Sequence, residues 1–391
     1  MILGDEDSSA RGPRSQEIDR TGLIAGLLAG SGVMNPHPTN GHHGPAVFVE
    51  PSARRGFFDS LRLPEPKETL SELVTEFDLR AASLLPDVDV PMSDLAMTEA
   101  GTINVPHQGA FSLTPWAKQQ LASRLGVRWN RWFDGIDPKL RAGEINRRLE
   151  RDTGVVRVKT DCSLGDDGSI GVLRGFVSPT YTTVPDALVA QAILDELRHG
   201  DPKILRASQT DRTTSYVVQV GAPFHVGGPA RVGDVVGGLL VRNSDVGYAS
   251  LVVALHLTRL VCSNGMVVAE STAIVRRAHR HIDMRGLQEQ LAKGLRELPS
   301  RVRRAAHVLE RLAHHAVDHV PAVLSQILRD ARLPQKLLPI LLSAYGREPH
   351  TSAFGVSQAV TLAAQDASVS AEDRVVLERA AGKYMDRYAV R

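Results

Sequence analysis

The stretch Leu251-Val252-Val253-Ala254-Leu255-His256-Leu257-Thr258-Arg259-Leu260-Val261-Cys262-Ser263-Asn264-Gly265 decides how this chain is read. In an extended conformation Val253, Leu255, Leu257 and Val261 share one face. Val252, Ala254, Leu260 and Cys262 share the other, with His256 and Thr258. Side chains alternate along a strand, so two largely apolar faces imply a central strand or one covered on both sides. Asn264-Gly265 follows, and both residues accept the positive φ of a type I′ hairpin turn. The expectation is the chain's longest strand over 251–262, a turn at Asn264-Gly265, and Met266 to Val275 returning antiparallel.

Working upstream, Leu239 to Arg242 and Ser215 to Val220 read as further strands. Val155, Val156 and Val158 start another, Gly165-Asp166-Asp167-Gly168 is a turn, and Gly171 to Val177 resumes as a strand. From Val88 to Phe111, Gly101 and Pro106 punctuate two or three short strands. Gly227 to Gly238 is glycine-rich without a nucleotide-binding spacing, and suits turns and bulges. Helices interleave with these strands. Leu70, Leu73, Val74 and Phe77 recur at helical steps. Thr114 caps a helix from Pro115 whose buried face is Ala117, Leu121 and Leu125, ended by Gly126. Asp137 caps a helix from Pro138 to Arg151. Thr183 with Asp186 resembles a capping box ahead of Val189, Ile193 and Leu197. Asp201-Pro202-Lys203 reads as a junction from loop to helix. Beyond Asp283 the period is helical to the end, with Pro299 and Pro321 starting, kinking or dividing helices.

The fold class is therefore α+β: an antiparallel sheet, flat or curved, with packed helices, followed by a helical C-terminal portion. Residues 1–62 are turn-rich and read as a disordered or loosely docked tail, 63–281 as the α+β body, and 282–391 as the helical region.

Composition narrows the function classes. The 391 residues hold 46 basic and 44 acidic side chains, a net charge of +2, with 42% hydrophobic residues. That balance excludes collagen-like and wholly disordered chains and a uniformly basic coat. Cys162 and Cys262 form no CxxC pair and suit buried reduced thiols. The apolar run from Leu23 to Gly30 is too short to span a bilayer and follows acidic residues, which points to a cytoplasmic protein without a membrane partner. Neither a GxxxxGK[ST] loop, a GxSxG elbow nor an HExxH helix occurs. His279-Arg280-His281 lacks a second metal ligand. His315 and His319, an i, i+4 pair near His307 and His314, suit a solvated helix face better than zinc. No cofactor is expected.

Charge is unevenly spread, however. Residues 122–151 carry eight basic against four acidic side chains, and 276–311 carry ten against four. Arg128-Trp129-Asn130-Arg131-Trp132 interleaves guanidinium with indole, a surface able to neutralise phosphates while bases stack on rings. Candidate phosphate contacts are Arg124, Arg128, Arg131, Arg147 and Arg148, with Trp129, Trp132 and Tyr181 as stacking candidates. The competing reading has the tryptophans in the core and the arginines merely solvated. Arg174 and Arg259 each interrupt an apolar strand pattern, so each must be paired or face a ligand groove; both join the candidates.

Several segments resemble a known family. Phe111-Ser112-Leu113-Thr114 through Ala117, Gln120-Leu121 and Arg124-Leu125-Gly126 is similar to a segment of phage- and plasmid-associated proteins carrying domain of unknown function 932. Arg174-Gly175-Phe176-Val177-Ser178-Pro179-Thr180-Tyr181 resembles that family's strand and turn, with Pro179-Thr180 where an Asp-Arg pair is frequent. Asn243-Ser244 with Gly247-Tyr248-Ala249-Ser250 resembles its turn, and Arg259 to Gly265 its hairpin. The likeness runs over about residues 87–391 and implies a mobile-element context but no settled activity. The leading expectation is a non-enzymatic protein binding single-stranded DNA in replication or recombination, self-associating through its C-terminal helices. The alternatives are a protein-interaction module without nucleic acid and, third, a metal-dependent hydrolase using the histidines.

Overall fold

Short-range hydrogen bonds set where most helices begin. The computed structural model describes residues 69–164, 170–198, 202–226, 233–259, 264–267 and 273–389. The expected tail, the turn at 165–168 and Cys262 lie outside the described residues. Helix α1 (Leu70–Ala81) opens on Thr69, whose hydroxyl accepts the Glu72 N–H while the Glu72 carboxylate accepts the Thr69 N–H. This reciprocal cap satisfies two of the donors that a helix start leaves open. Helix α2 (Pro115–Leu125) is capped by Thr114 and ends at Gly126, whose φ of 64° suits a residue without Cβ. Asn130 caps α3 (Arg131–Gly135) and Asp137 caps α4 (Pro138–Leu149).

Strands β1 (Val88–Pro91), β2 (Ala96–Met97), β3 (Ile103–Val105), β4 (Gly109–Leu113), β5 (Val155–Leu164) and β6 (Ile170–Val177) form one sheet in the order β1-β5-β6-β4-β3-β2. Only β4 and β6 run parallel. Parallel neighbours need a long connection, and here it includes α2, α3 and α4. Those helices close a core with the sheet, built from Ile103, Phe111, Leu121, Ile145, Leu149, Val158 and Leu173.

The second sheet holds β7 (Lys203–Gln209), β8 (Thr214–Gln219), β9 (Phe224–Val226), β10 (Gly233–Asn243), β11 (Leu251–Arg259), β12 (Asn264–Val267) and β13 (Ala273–Arg277). Its order is β12-β11-β10-β8-β7, with β13 also on β11 and β9 on β10, all antiparallel. Helix α5 (Asp186–Leu197) precedes it. Helices α6 (Met284–Arg296), α7 (Leu298–His314), α8 (Val320–Asp330), α9 (Leu338–Arg347), α10 (Ala353–Ala363) and α11 (Ala371–Ala389) follow. Strand β11 is indeed central and covered on both faces. Val253, Leu255 and Leu257 join a core with Leu291, Leu309 and Leu324, whereas Val252 and Ala254 pack with Val375 of α11. The fold class is α+β, with a helical C-terminal region. Since strands and later helices share one core, the boundary expected at 281/282 does not divide it.

Other expectations need correction. Asn264 and Gly265 pair with Arg259 and Thr258 inside β12 rather than forming the turn; residues 260–263 lie outside the described residues. Among the described residues β10 is longer than β11, with 11 residues against nine, and it runs from Gly233 rather than from Leu239. Its glycines allow close approach: a Cβ at Gly238 would stand 2.1 Å from the Val218 carbonyl oxygen, and one at Gly237 2.5 Å from Val302. Lys203 begins strand β7 rather than a helix. Helix α5 starts without a side-chain cap, since its N-cap position is Pro185; Thr183, expected to cap it, is engaged by Lys159 and Asp87. Cys162 is exposed. His315 ends α7 and His319 precedes α8, so the two share no helix.

The sheets meet along a polar seam. Arg174 of β6 donates through both terminal nitrogens to Asp245, at 2.6 and 2.8 Å. Their side chains are only 11% and 22% exposed. The turn holding Asp245 is gripped by α2: Trp116 Nε1 and Gln120 Nε2 both donate to the Val246 carbonyl at 2.9 Å, and Gln120 Oε1 accepts the Phe176 N–H. Tyr181 donates its hydroxyl to the Ser244 carbonyl, and Asn243 donates to Val184 and Asp186. Burial alone would raise the Asp245 carboxyl, but the charge and hydrogen bond of Arg174 hold it at about 2. Asp186 moves the other way, raised by burial and by repulsion from Asp245.

Two outcomes follow from the seam. Arg174→Met strands a desolvated carboxylate and should cost about 3 kcal/mol in urea unfolding, whereas Arg174→Met with Asp245→Leu should recover most of that loss. An unfolded Asp titrates near ~3.9, above the folded value of about 2. The pair's contribution is thus complete above about pH 4 and is lost as pH falls towards 2. Unfolding midpoints measured across that window should fall more steeply for the wild type than for Asp245→Asn.

Candidate nucleic-acid interface

Helices α2 and α4, with the turn that follows α4, place four guanidiniums around one concavity. Helix α4 is fixed by Ile145 and Leu149, both fully buried, and by Asn146, whose amide pairs both ways with the Met97 backbone at 2.6 and 3.0 Å. Residues three and four apart share a helix side, so Glu144, Arg147 and Arg148 lie together. With Arg124, Arg151 and Asp152, the two arginines line a concavity of about 440 Å³. A second concavity of about 430 Å³ shares Arg124 and is walled by Trp116, Gln119, Ser123, Phe176 and Ser178.

Most of these arginines are held in place by acids. Arg124 reaches Asp152 through two nitrogens, at 2.7 and 3.1 Å. That hydrogen bonding raises the arginine's pKa and lowers the acid's. Glu144 serves both Arg147 and Arg148, at 2.8 and 2.6 Å, and their hydrogen bonds lower its pKa. Arg148 also donates to the Leu125 carbonyl at 2.7 Å, satisfying an open acceptor at the end of α2. Four guanidiniums set against Asp152 and Glu144 leave a positive surplus. Arg128 and Arg131 are exposed and make no ion pair among the described residues. Trp132 is 73% exposed.

The structure thus groups Arg124, Arg147 and Arg148, and keeps Arg128, Arg131 and Trp132 in solvent. Trp129 is half-buried at the rim of the first core, donating to Asp134 at 2.7 Å and packing edge-on against Phe133. Two candidates leave the surface altogether. Arg174 is committed to Asp245 in the seam. Tyr181 is buried, with His279 stacked on its ring at 4.9 Å, and is closed to a base. The Arg259 side chain lies outside the described residues. Sequence reasoning missed Arg151, Trp116 and Phe176 as lining groups. Trp116 carried a faint signal, an indole in the first turn of a helix beginning Thr-Pro. Phe176 carried none, because its alternation reads as core, and it is indeed buried in the first core with only its edge at the concavity.

Residues 174–331 match the model of a family described as domain of unknown function 932. No curated protein and no solved structure matches the chain. Among the described residues, no helix is long and apolar enough to cross a membrane, and no three His, Cys, Asp or Glu side chains stand where they could hold a metal ion.

Exposure and bonding separate two substitutions. Trp132→Ala should change the unfolding free energy by less than about 0.5 kcal/mol. Arg148→Ala loses the carbonyl cap and an ion pair and should cost about 1 kcal/mol. Chemical denaturation of both variants checks this.

Proposed function

We propose that this protein binds single-stranded nucleic acid, DNA in the first instance, without catalysis, as a cytoplasmic component of a phage- or plasmid-type mobile element. The observation that carries the reading is the pair of concavities sharing Arg124. One gathers Arg124, Arg147, Arg148 and Arg151, and the other offers the half-buried indole of Trp116. Phosphate neutralisation beside an aromatic-walled recess is the chemistry single strands need, since every base has a face to stack. Arg128, Arg131 and Trp132, exposed at and just before the start of α3, are further candidates for contact. The carboxylates that pair with the arginines also preset the side-chain directions, lowering the ordering entropy of a contact. The family match assigns no activity.

Fluorescence anisotropy with a labelled oligothymidylate tests this across a salt series. Log affinity should fall against log salt with a slope of about −0.7 for each phosphate contacted. Arg128→Glu, Arg131→Glu and Arg151→Glu should each weaken binding and flatten that slope, and Trp132→Ala should cost about 1–3 kcal/mol of stacking. Absence of binding at low salt, or variants that bind like the wild type, would sink the proposal.

A further inference from the structure

A cavity of about 460 Å³ opens between the C-terminal end of α8 and one side of α11, apart from the arginine surface above. Along α11 the spacing is regular. Arg379, Lys383 and Arg387 stand four residues apart, and so do Val376, Ala380 and Tyr384; all six line the cavity. Residues at this spacing lie one above another on a helix, so α11 presents a cationic stripe beside an apolar one. Like charges at this step repel rather than support the helix.

The end of α8 adds a further cation. Arg332, with its backbone at φ 55°, lines the cavity beside Ile327 and Asp330. Asp330 is the one acid in the lining, and it already accepts from Arg387 and from the Gln326 amide, each at 2.6 Å. Arg332 and Lys383 are exposed and make no ion pair among the described residues. Burial, with repulsion from Arg242, lowers the Arg379 guanidinium to about 10, a penalty that an anion beside it would offset.

We propose that this cavity binds an organic polyphosphate, of the size and charge of a nucleoside triphosphate, with its phosphates on Arg332, Arg379, Lys383 and Arg387 and its ring against the apolar stripe. The volume falls within the ~300–1,000 Å³ usual for small-molecule sites. The surplus of cations over the single, already bonded carboxylate calls for more than one negative charge. The apolar floor favours a ligand that carries a ring over a bare anion. This proposal stands independently of the nucleic-acid reading.

Isothermal titration of the full chain with adenosine triphosphate, and separately with inorganic triphosphate, tests it in metal-free buffer. The expected result is one nucleotide per chain, with weaker binding of inorganic triphosphate. Arg332→Glu combined with Lys383→Glu should lower nucleotide affinity roughly tenfold or more, whereas Arg285→Glu, exposed on α6 and in neither lining, should leave it unchanged. Both reversed side chains are exposed, and an unaltered circular dichroism spectrum and melting temperature would confirm that the variant folds. No saturable heat, or equal affinity in the double variant, overturns the proposal.

Discussion

Two sheets with separate apolar cores are joined here through a bidentate ion pair. Arg174 extends from an interior strand of the first sheet, and Asp245 stands in the turn that leaves β10 of the second. Taking both charges out of water is costly, and their attraction offsets that cost only when further hydrogen bonds complete the shell. The surrounding residues supply such bonds. Asn243, Ser244 and Val246 each give or receive a hydrogen bond across the seam, and α2 holds the turn from the opposite side. An apolar seam would permit sliding, whereas a directional one fixes the relative register of the sheets. The arginine surface inherits that register, because α2 carries both the residues that grip the turn and Arg124.

Local features were the most legible in the sequence. Thr114 and Asp137 cap helices because a hydroxyl or carboxylate reaches an N–H only a few residues away. The two-faced pattern of 251–257 reported a covered strand because burial acts on each residue directly. Signals that depend on distant partners were mute. The partner of Arg174 is 71 residues away, and no spacing rule selects Asp245 among the chain's acids. Asn264-Gly265 carries turn propensity, yet pairing with β11 overrides it, since tertiary context outweighs a dipeptide preference. Thr183 and Asp186 fit a cap pattern, but the seam engages both side chains first.

The candidate site shows the same division. A local excess of arginine was countable, and three of the five expected phosphate contacts converge on one concavity. Sequence could not tell that Glu144 would hold two arginines or that Arg148 would close the end of α2. Nor could it show that Tyr181, an aromatic a few residues past Arg174, would be covered by His279. A charge excess counts groups, whereas availability depends on which of them already have partners.

The position of the family match has a consequence for dissection. Residues 174–331 begin in the middle of β6, whose neighbours β5 and β4 lie wholly outside that range. A fragment cut at Arg174 would keep the Arg174–Asp245 pair. It would lose both hydrogen-bonding partners of the remaining half-strand and the helix that grips the turn, exposing unpaired backbone of the kind that templates aggregation. It would also sever the seven-stranded sheet from α9, α10 and α11, which complete its cores. The stretch of sequence that a family shares and the stretch that folds are thus different lengths of chain, and the second contains the first.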